Sequence, residues 1–576
     1  MKLHPFPPER QVGIVYQVEG SFADVTFTAA TKLPRSHFGE YLGRGEVGEF
    51  LIVDVGGAAI FGRLVRVGAT SPSLDALSQN EHRVPVEGRL QLLSTLRLDG
   101  ETMRGITKYP RVGDHVYAAS AEVISAVIGA AQGRDGTSLT LGRLSVDDSV
   151  EVAVPLDRLF GRHLAIVGAT GSGKSWTLGH IAESVGQLGG KFLLIDATGE
   201  FHTLGIRAQH LAFGSLDEEP SGAKLVGIPH FMMRESDRNA FLNPSGGAQL
   251  PKLREAVRSL KLAEAIRSDP QADAQHQTIS ASNGQVIKTN SSTSVYQAAM
   301  NKYISTVEAR HSPFDIRQLA LQVANECIWP TGQGTASDRF GGPNNNELGY
   351  VSSLISRIND MLQIPEIMGV IDPSGGAGNA VTEIQSWLQQ SESCVMRISL
   401  RNLTFANHLR EIVVNIIGQT LLEWARANAF RQVPLVVAID EAHQFFSVTV
   451  GDEFASTTLN AFDSIAKEGR KYGLTVCVAT QRPADLPAGV LSQVGMTIVH
   501  RLADGRDRQR VEQAAAELDH SATRLLPGLV PGEAILMGVD FPVPVSVRIQ
   551  RPVSPPASDG PRYVNWGHTA EERDGA

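Results

Sequence analysis

The sequence predicts an α/β protein: a parallel sheet flanked by helices, preceded by a small β-rich domain and interrupted by a helical insertion. Three observations carry this. Short apolar runs recur at His163–Val167, Lys191–Asp196, residues 395–400, Leu435–Ile439 and residues 474–479, with helically spaced stretches between several of them. The first 150 residues carry short β-branched runs broken by glycine turns. Residues 206–394 change character and read mostly as amphipathic helices. The expected organisation is a β-barrel over 1–150, a sheet core over 151–550 with the insertion at about 206–394, and a tail over 551–576.

In the barrel region the runs are 11–16, 23–28, 49–55, 59–67, 90–98, 113–118 and 123–128, the spacing of a small barrel. Aromatics are sparse there, so the barrel reads as structural rather than as an oligonucleotide-binding face. Helices are expected at 239–262, 295–308, 314–326 and 351–360, with mobile polar loops at 271–294 and 331–346. After the insertion come a helix over 405–427 and a second over 452–472 that Gly473 caps. Strands follow at 497–501 and 534–539, and 543–549 reads as an edge strand because prolines flank it. From Arg551 onward an extended arm or disorder is expected.

Composition narrows the class. A hydrophobic content of 42% in 576 residues suits a globular chain of two or three domains. Cys327, Cys394 and Cys477 lie far apart, without metal-ligand spacing, and point to a reducing, cytoplasmic setting. The first residues lack an apolar segment of the kind a signal peptide needs, and no run is long enough to predict a membrane span. The net charge of −9 neither supports nor excludes nucleic acid, since a basic lining can coexist with an acidic exterior.

The strongest motif is Gly168-Ala169-Thr170-Gly171-Ser172-Gly173-Lys174-Ser175, a complete phosphate-binding loop between an apolar strand and a helix that Trp176 opens. Its glycines let backbone N–H groups turn inward on phosphate oxygens, and the helix start adds a favourable dipole. Lys174 is expected to reach the β- and γ-phosphates of ATP, and the Ser175 hydroxyl to hold Mg²⁺. Asp440 and Glu441 end a fully apolar strand, where an open α/β sheet places its ligand. Asp440 is expected to orient Mg²⁺ through water, and Glu441 to polarise the water attacking the γ-phosphate. Gln481, ending the next strand, can donate to phosphate and accept from water.

Lys467, Arg470 and Lys471 are spaced to share one helix face. Arg470 is the first candidate to reach a neighbouring subunit's γ-phosphate; Arg162, ahead of the first sheet strand, is the second. Asp196 and Glu200 follow the second strand, near enough to touch the site, and Glu200 could hold metal or water. His163 and His443 read as structural, and Phe445 and Phe446 as core.

Together these residues resemble the HerA family, hexameric DNA translocases related to the FtsK motors. The matching strings are G-A-T-G-S-G-K-S, I-D-A-T-G-E-F from Ile195, V-V-A-I-D-E-A-H-Q-F from Val436, A-K-E-G-R-K-Y-G from Ala466 and V-A-T-Q-R-P from Val478. Gly532-Glu533-Ala534-Ile535 is similar to the family's last strand. The resemblance implies a RecA-like P-loop NTPase sheet behind a HAS-barrel-like domain, a homo-hexamer with ATP and Mg²⁺ at subunit interfaces, and double-stranded DNA in the central channel. It carries Lys174, Ser175, Asp440, Glu441 and Gln481 over, with Arg470 and Arg162 as interface arginines. It further implies a partner docked on the barrel face: a nuclease, or a sirtuin-like NAD-consuming effector as in bacterial antiphage systems. Three other readings stay open. Asp440-Glu441-Ala442-His443 also matches the box of two-lobed helicases, a general ATPase acting on protein fits the same loop, and a ring scaffold that switches on a bound effector fits the same residues.

Overall fold

The computed structural model describes residues 4–27, 36–37, 40–41, 45–69, 86–98, 102–129, 137–205, 207–280, 283–332, 337–373, 376–451, 456–514, 520–538 and 543–558. All structural statements below concern these residues.

Six antiparallel strands close the N-terminal barrel. Phe22–Phe27 pairs with Gln11–Glu19, then follow His115–Ala118, Phe50–Asp54, Ala58–Ala69 and Val86–Arg97, which returns to Phe22–Phe27. Closure leaves no long free edge. Val15, Val25, Leu51, Ile60, Leu90 and Val116 fill the interior. The expected strand at 123–128 is instead the helix Ala121–Gly129. Val123, Ile124, Val127 and Ile128 are its buried residues, a four-residue repeat that only a helix brings onto one face.

The second sheet has thirteen described strands. Nine run parallel, in the order Val494–Val499, His163–Val167, Leu474–Thr480, Leu435–Ile439, Lys191–Asp196, Val395–Ser399, Ala208–Ala212, Lys224–Gly227 and Gly378–Asn379. Beyond Val494–Val499 the sheet turns antiparallel, through Glu533–Met537, Val545–Ile549, Ser138–Leu144 and Asp147–Pro155. Val545–Ile549 is therefore an interior strand, not an edge; Pro544 and Pro552 lie outside its paired segment and remove no ladder bond.

The insertion is less purely helical than its pattern suggests. Ala208–Ala212 and Lys224–Gly227 extend the sheet, and neither is rich enough in β-branched residues to announce a strand. The expected helix over 239–262 is two helices, Glu235–Leu242 and Gln249–Ser268, parted at Asn243, whose φ of 44° is left-handed. The segments expected as mobile loops are tied down. Gln322 exchanges two hydrogen bonds with the Val286 backbone, and Lys288 is buried against Glu326. Residues 281–282 and 333–336 of those segments lie outside the described residues.

The expected helix over 452–472 divides into a hairpin, Val448–Gly451 with Ser456–Leu459, then a helix Ala461–Glu468 and a 3-10 turn Gly469–Tyr472. Lys467 closes the helix while Arg470 and Lys471 stand in the turn, so the three do not form one α-helical face. Residues 452–455 lie outside the described set. Residues 551–558 form a docked arm rather than a free tail: the buried Glu183 carboxylate accepts the Val553 and Ser554 N–H groups at 2.7 Å each, and Ala557 N–H donates to the Glu200 carbonyl. Residues 559–576 lie outside the described set.

Candidate nucleotide site

Three adjacent parallel strands converge on the site. His163–Val167 delivers the phosphate loop, Leu474–Thr480 delivers Gln481 beside it, and Leu435–Ile439 delivers Asp440 and Glu441. All three loops leave the carboxyl ends of their strands, where the sheet opens a crevice. The loop's course is set by backbone contacts. Ala169 N–H donates to Arg501 O, Ser172 N–H and hydroxyl both donate to Ala169 O, and Gly532 N–H donates to Ser172 O. Gly173 holds φ of 112° at the start of the helix Lys174–Gln187, a conformation side chains disfavour. A Cβ at Gly168 would meet His500 Cβ at 2.6 Å, so the chain admits only glycine there without a shift.

Lys174 is buried, with Nζ 2.8 Å from Asp440 Oδ1 and 3.3 Å from Glu441 Oε1. Burial opposes its charge, but the two carboxylates outweigh this and hold the lysine above its usual pKa, so it stays an ammonium. Thr198 Oγ1 donates to Asp440 Oδ2 at 3.4 Å. Burial raises the Glu200 pKa, and the nearby Ser175 hydroxyl offsets this in part. Thr170 Oγ1 donates to Gln481 Oε1 at 2.7 Å. Glu441 has φ of 48°, the left-handed region, which re-aims its carboxylate toward Lys174.

These residues suit a magnesium–nucleotide. Ser175, Asp440 and Glu200 offer hard oxygens, as magnesium prefers. Glu200 Oε2 and Glu441 Oε2 are buried acceptors carrying no hydrogen bond, a cost that a metal-bound water or nucleophilic water would offset.

Asp196 stands differently from its sequence reading and does not face the crevice. It is fully buried, accepts from Gly199 and Phe201 N–H, and pairs with Arg397. His443, read as structural, stands beside the site: Nδ1 lies 3.1 Å from Thr480 Oγ1 and 3.4 Å from Glu441 Oε2, and burial lowers its pKa. His163 is structural, joining Ala466 O and Val476 N, and Phe445 and Phe446 are core. Trp176 lies beneath the Arg551 guanidinium of the arm, 5.3 Å from the ring centroid.

Arg162 and Arg470 both sit at the amino ends of their strands, Arg162 half-buried and Arg470 exposed. The five-residue strand His163–Val167 alone spans roughly 16 Å. Neither arginine can therefore join the phosphate loop of its own chain. His500 went unremarked in the sequence yet stitches the site: Nδ1–H donates to Glu533 O, and Nε2 accepts from Thr177. Burial pushes its pKa down to about 4.

Two known domain families match the chain. The one described as Helicase HerA, central domain, matches residues 139–325, and that described as Helicase HerA-like C-terminal matches residues 421–558. Among curated proteins, the DNA double-strand break repair helicase HerA of Sulfolobus acidocaldarius is 23% identical over 540 residues, 91% of this chain and 93% of its own. That of Pyrococcus furiosus is 24% identical over 497 residues, 82% of this chain and 80% of its own. Among solved structures, the bacterial conjugative coupling protein TrwBdeltaN70 aligns at 14% identity over 76% of this chain and 92% of its own, with a TM-score of 0.43. VirB4 of Thermoanaerobacter pseudethanolicus aligns at 15% identity over 72% of this chain and 97% of its own, with a TM-score of 0.39. With both HerA domains matched in order across the sheet that carries the site, the chain belongs to the HerA helicase family as a distant relative of its archaeal members.

Proposed function

We propose that this protein is an ATPase that drives double-stranded DNA through a ring of six subunits in a cytoplasmic setting, in concert with an effector such as a nuclease docked on the barrel face. The observation that carries the ATPase reading is the convergence of Lys174, Asp440, Glu441 and the Thr170–Gln481 pair at the carboxyl ends of three neighbouring strands. Magnesium, when bound, neutralises phosphate charge. Ser175 and Asp440 are the residues that would hold it, with Glu200 beside Ser175. Lys174 supplies the ammonium for the β- and γ-phosphates. Glu441 Oε2 accepts a hydrogen from the attacking water and orients it. Gln481 spends its carbonyl on Thr170, which leaves its NH₂ for a γ-phosphate oxygen.

The ring reading draws support from the arginines. A guanidinium at the γ-phosphate stabilises transition-state charge, and both candidates lie at the far end of the sheet from their own loop. Arg470 or Arg162 would serve an adjacent subunit. DNA as substrate rests on the family membership and on relatives that are named DNA repair helicases. The effector rests on the family resemblance, and an antiphage role would follow only from its identity.

The test is steady-state ATP hydrolysis with and without linear double-stranded DNA, for wild type and Glu441→Gln, with particle mass measured on the same samples. DNA-stimulated turnover in a six-subunit particle, lost in the variant, supports the translocase. Slow turnover indifferent to DNA in the same particle overturns it in favour of a ring scaffold that gates a partner enzyme.

A further inference from the structure

Arg397 stands inside the strand Val395–Ser399 with none of its side chain exposed. An isolated guanidinium in a sheet interior is prohibitively costly, so its partners define what it does. Nε donates to Asp196 Oδ2 at 2.6 Å, and a terminal nitrogen donates to Glu219 Oε2 at 2.6 Å. Glu219 is held in turn by the Ser399 hydroxyl at 2.5 Å. The other Asp196 bonds go to backbone: Oδ1 takes Gly199 N–H at 2.8 Å and Oδ2 takes Phe201 N–H at 3.0 Å. Asp196 is thus the frame of the turn 197–201, and Arg397 fixes the frame.

That turn carries two side chains of the nucleotide site. Thr198 donates to Asp440 Oδ2 at 3.4 Å, and Glu200 has a buried Oε2 that carries no hydrogen bond. The turn is gripped from outside as well, since Arg410 donates to Ala197 O and the Arg401 stem packs on Gly199. Glu219 sits between the strands Ala208–Ala212 and Lys224–Gly227, so the chain of contacts runs from the outer part of the sheet to Asp440.

We infer that Arg397 is a positioning residue for the magnesium side of the site: through Asp196 it fixes the turn that holds Thr198 on Asp440 and carries Glu200. This rests on the ATPase reading above. With no exposed surface, Arg397 acts through the turn. Its removal should therefore weaken what magnesium adds to nucleotide binding while sparing what Lys174 and the loop backbone contribute alone.

The experiment is equilibrium binding of a fluorescent, non-hydrolysable ATP analogue in EDTA and in a magnesium titration, for wild type, Arg397→Gln, Thr198→Val and the double variant, with melting curves to establish folding. In Arg397→Gln the affinity in EDTA should stay within about twofold of wild type, and the gain from magnesium should fall about tenfold. Thr198 is exposed, so Thr198→Val folds; it should lose part of the same gain, and the double variant should lose no more than Arg397→Gln alone. Equal losses with and without magnesium, an unchanged magnesium gain, or additive losses in the double variant overturn the inference. If Arg397→Gln fails to fold, an unchanged magnesium gain in Thr198→Val overturns it and a loss supports it. Wild-type protein that binds no nucleotide would sink the ATPase reading instead, which separates the two failures.

Discussion

Thr170 Oγ1 donates a 2.7 Å hydrogen bond to Gln481 Oε1, joining the phosphate loop to the end of the neighbouring strand. A change at either residue is therefore felt by both elements at once. Gln481→Ala should lower the ATP turnover rate on the order of a hundredfold, the usual effect of deleting one transition-state donor. Nucleotide affinity should stay within a few fold. Rapid-quench hydrolysis and analogue binding on the same protein separate the two.

Lys174 lies between Asp440 and Glu441, and all three are buried. Lys174→Ala removes the cation from two carboxylates that then repel. Loss of nucleotide binding is expected, together with a destabilisation of about 3 kcal/mol from the uncompensated charge. Isothermal titration and urea unfolding check the two halves; unaltered ATP affinity would refute the site.

Glu441 is held at φ of 48°, where only glycine rests without strain. Glu441→Gly and Glu441→Ala both delete the carboxylate, so their difference isolates the backbone. The glycine variant should be the more stable by about 1 kcal/mol, with hydrolysis lost in both. Paired denaturation curves read the difference directly.

His500 has a folded pKa near 4 against an ordinary 6.5, lowered by burial. A depressed value means the neutral ring contributes stability that is whole above about pH 6.5 and drains away as pH falls toward 4. Between pH 7.5 and pH 5 the loss is on the order of 2 kcal/mol. Unfolding midpoints at the two pH values should show it, and His500→Gln should flatten the dependence.

Glu183 anchors the arm through two backbone N–H groups. Glu183→Ala should release them, dropping amide-exchange protection at Val553 and Ser554 by tenfold or more. Protection that survives the substitution would mean that Arg551 on Trp176 and the bonds to Thr203 and Glu200 hold the arm without it.

The site was legible in the sequence wherever local order places its parts. The phosphate loop, the Asp440-Glu441 strand end and Gln481 each sit at a strand's carboxyl terminus, and alternating strands and helices bring such ends together. What stayed hidden depends on distant partners. Arg397 in Val-Met-Arg-Ile-Ser looks like a stray charge in an apolar run, and only the fold supplies Glu219 and Asp196. His500 needed Glu533 and Thr177, and Glu183 needed the arm. Local errors had local causes. The run 123–128 is apolar enough for strand or helix, and the 456–459 hairpin strand hid inside a pattern extrapolated back from a real helix.

The place of Val545–Ile549 reaches beyond the folded molecule. It is wedged between Glu533–Met537 and Ser138–Leu144, so two strands some four hundred residues apart in the chain must meet before the sheet is whole. Until Val545–Ile549 is available to pair, a hairpin Ser138–Pro155 has one edge of Ser138–Leu144 open. A nascent chain stalled short of Val545 keeps that edge exposed, available to any other strand that reaches it first.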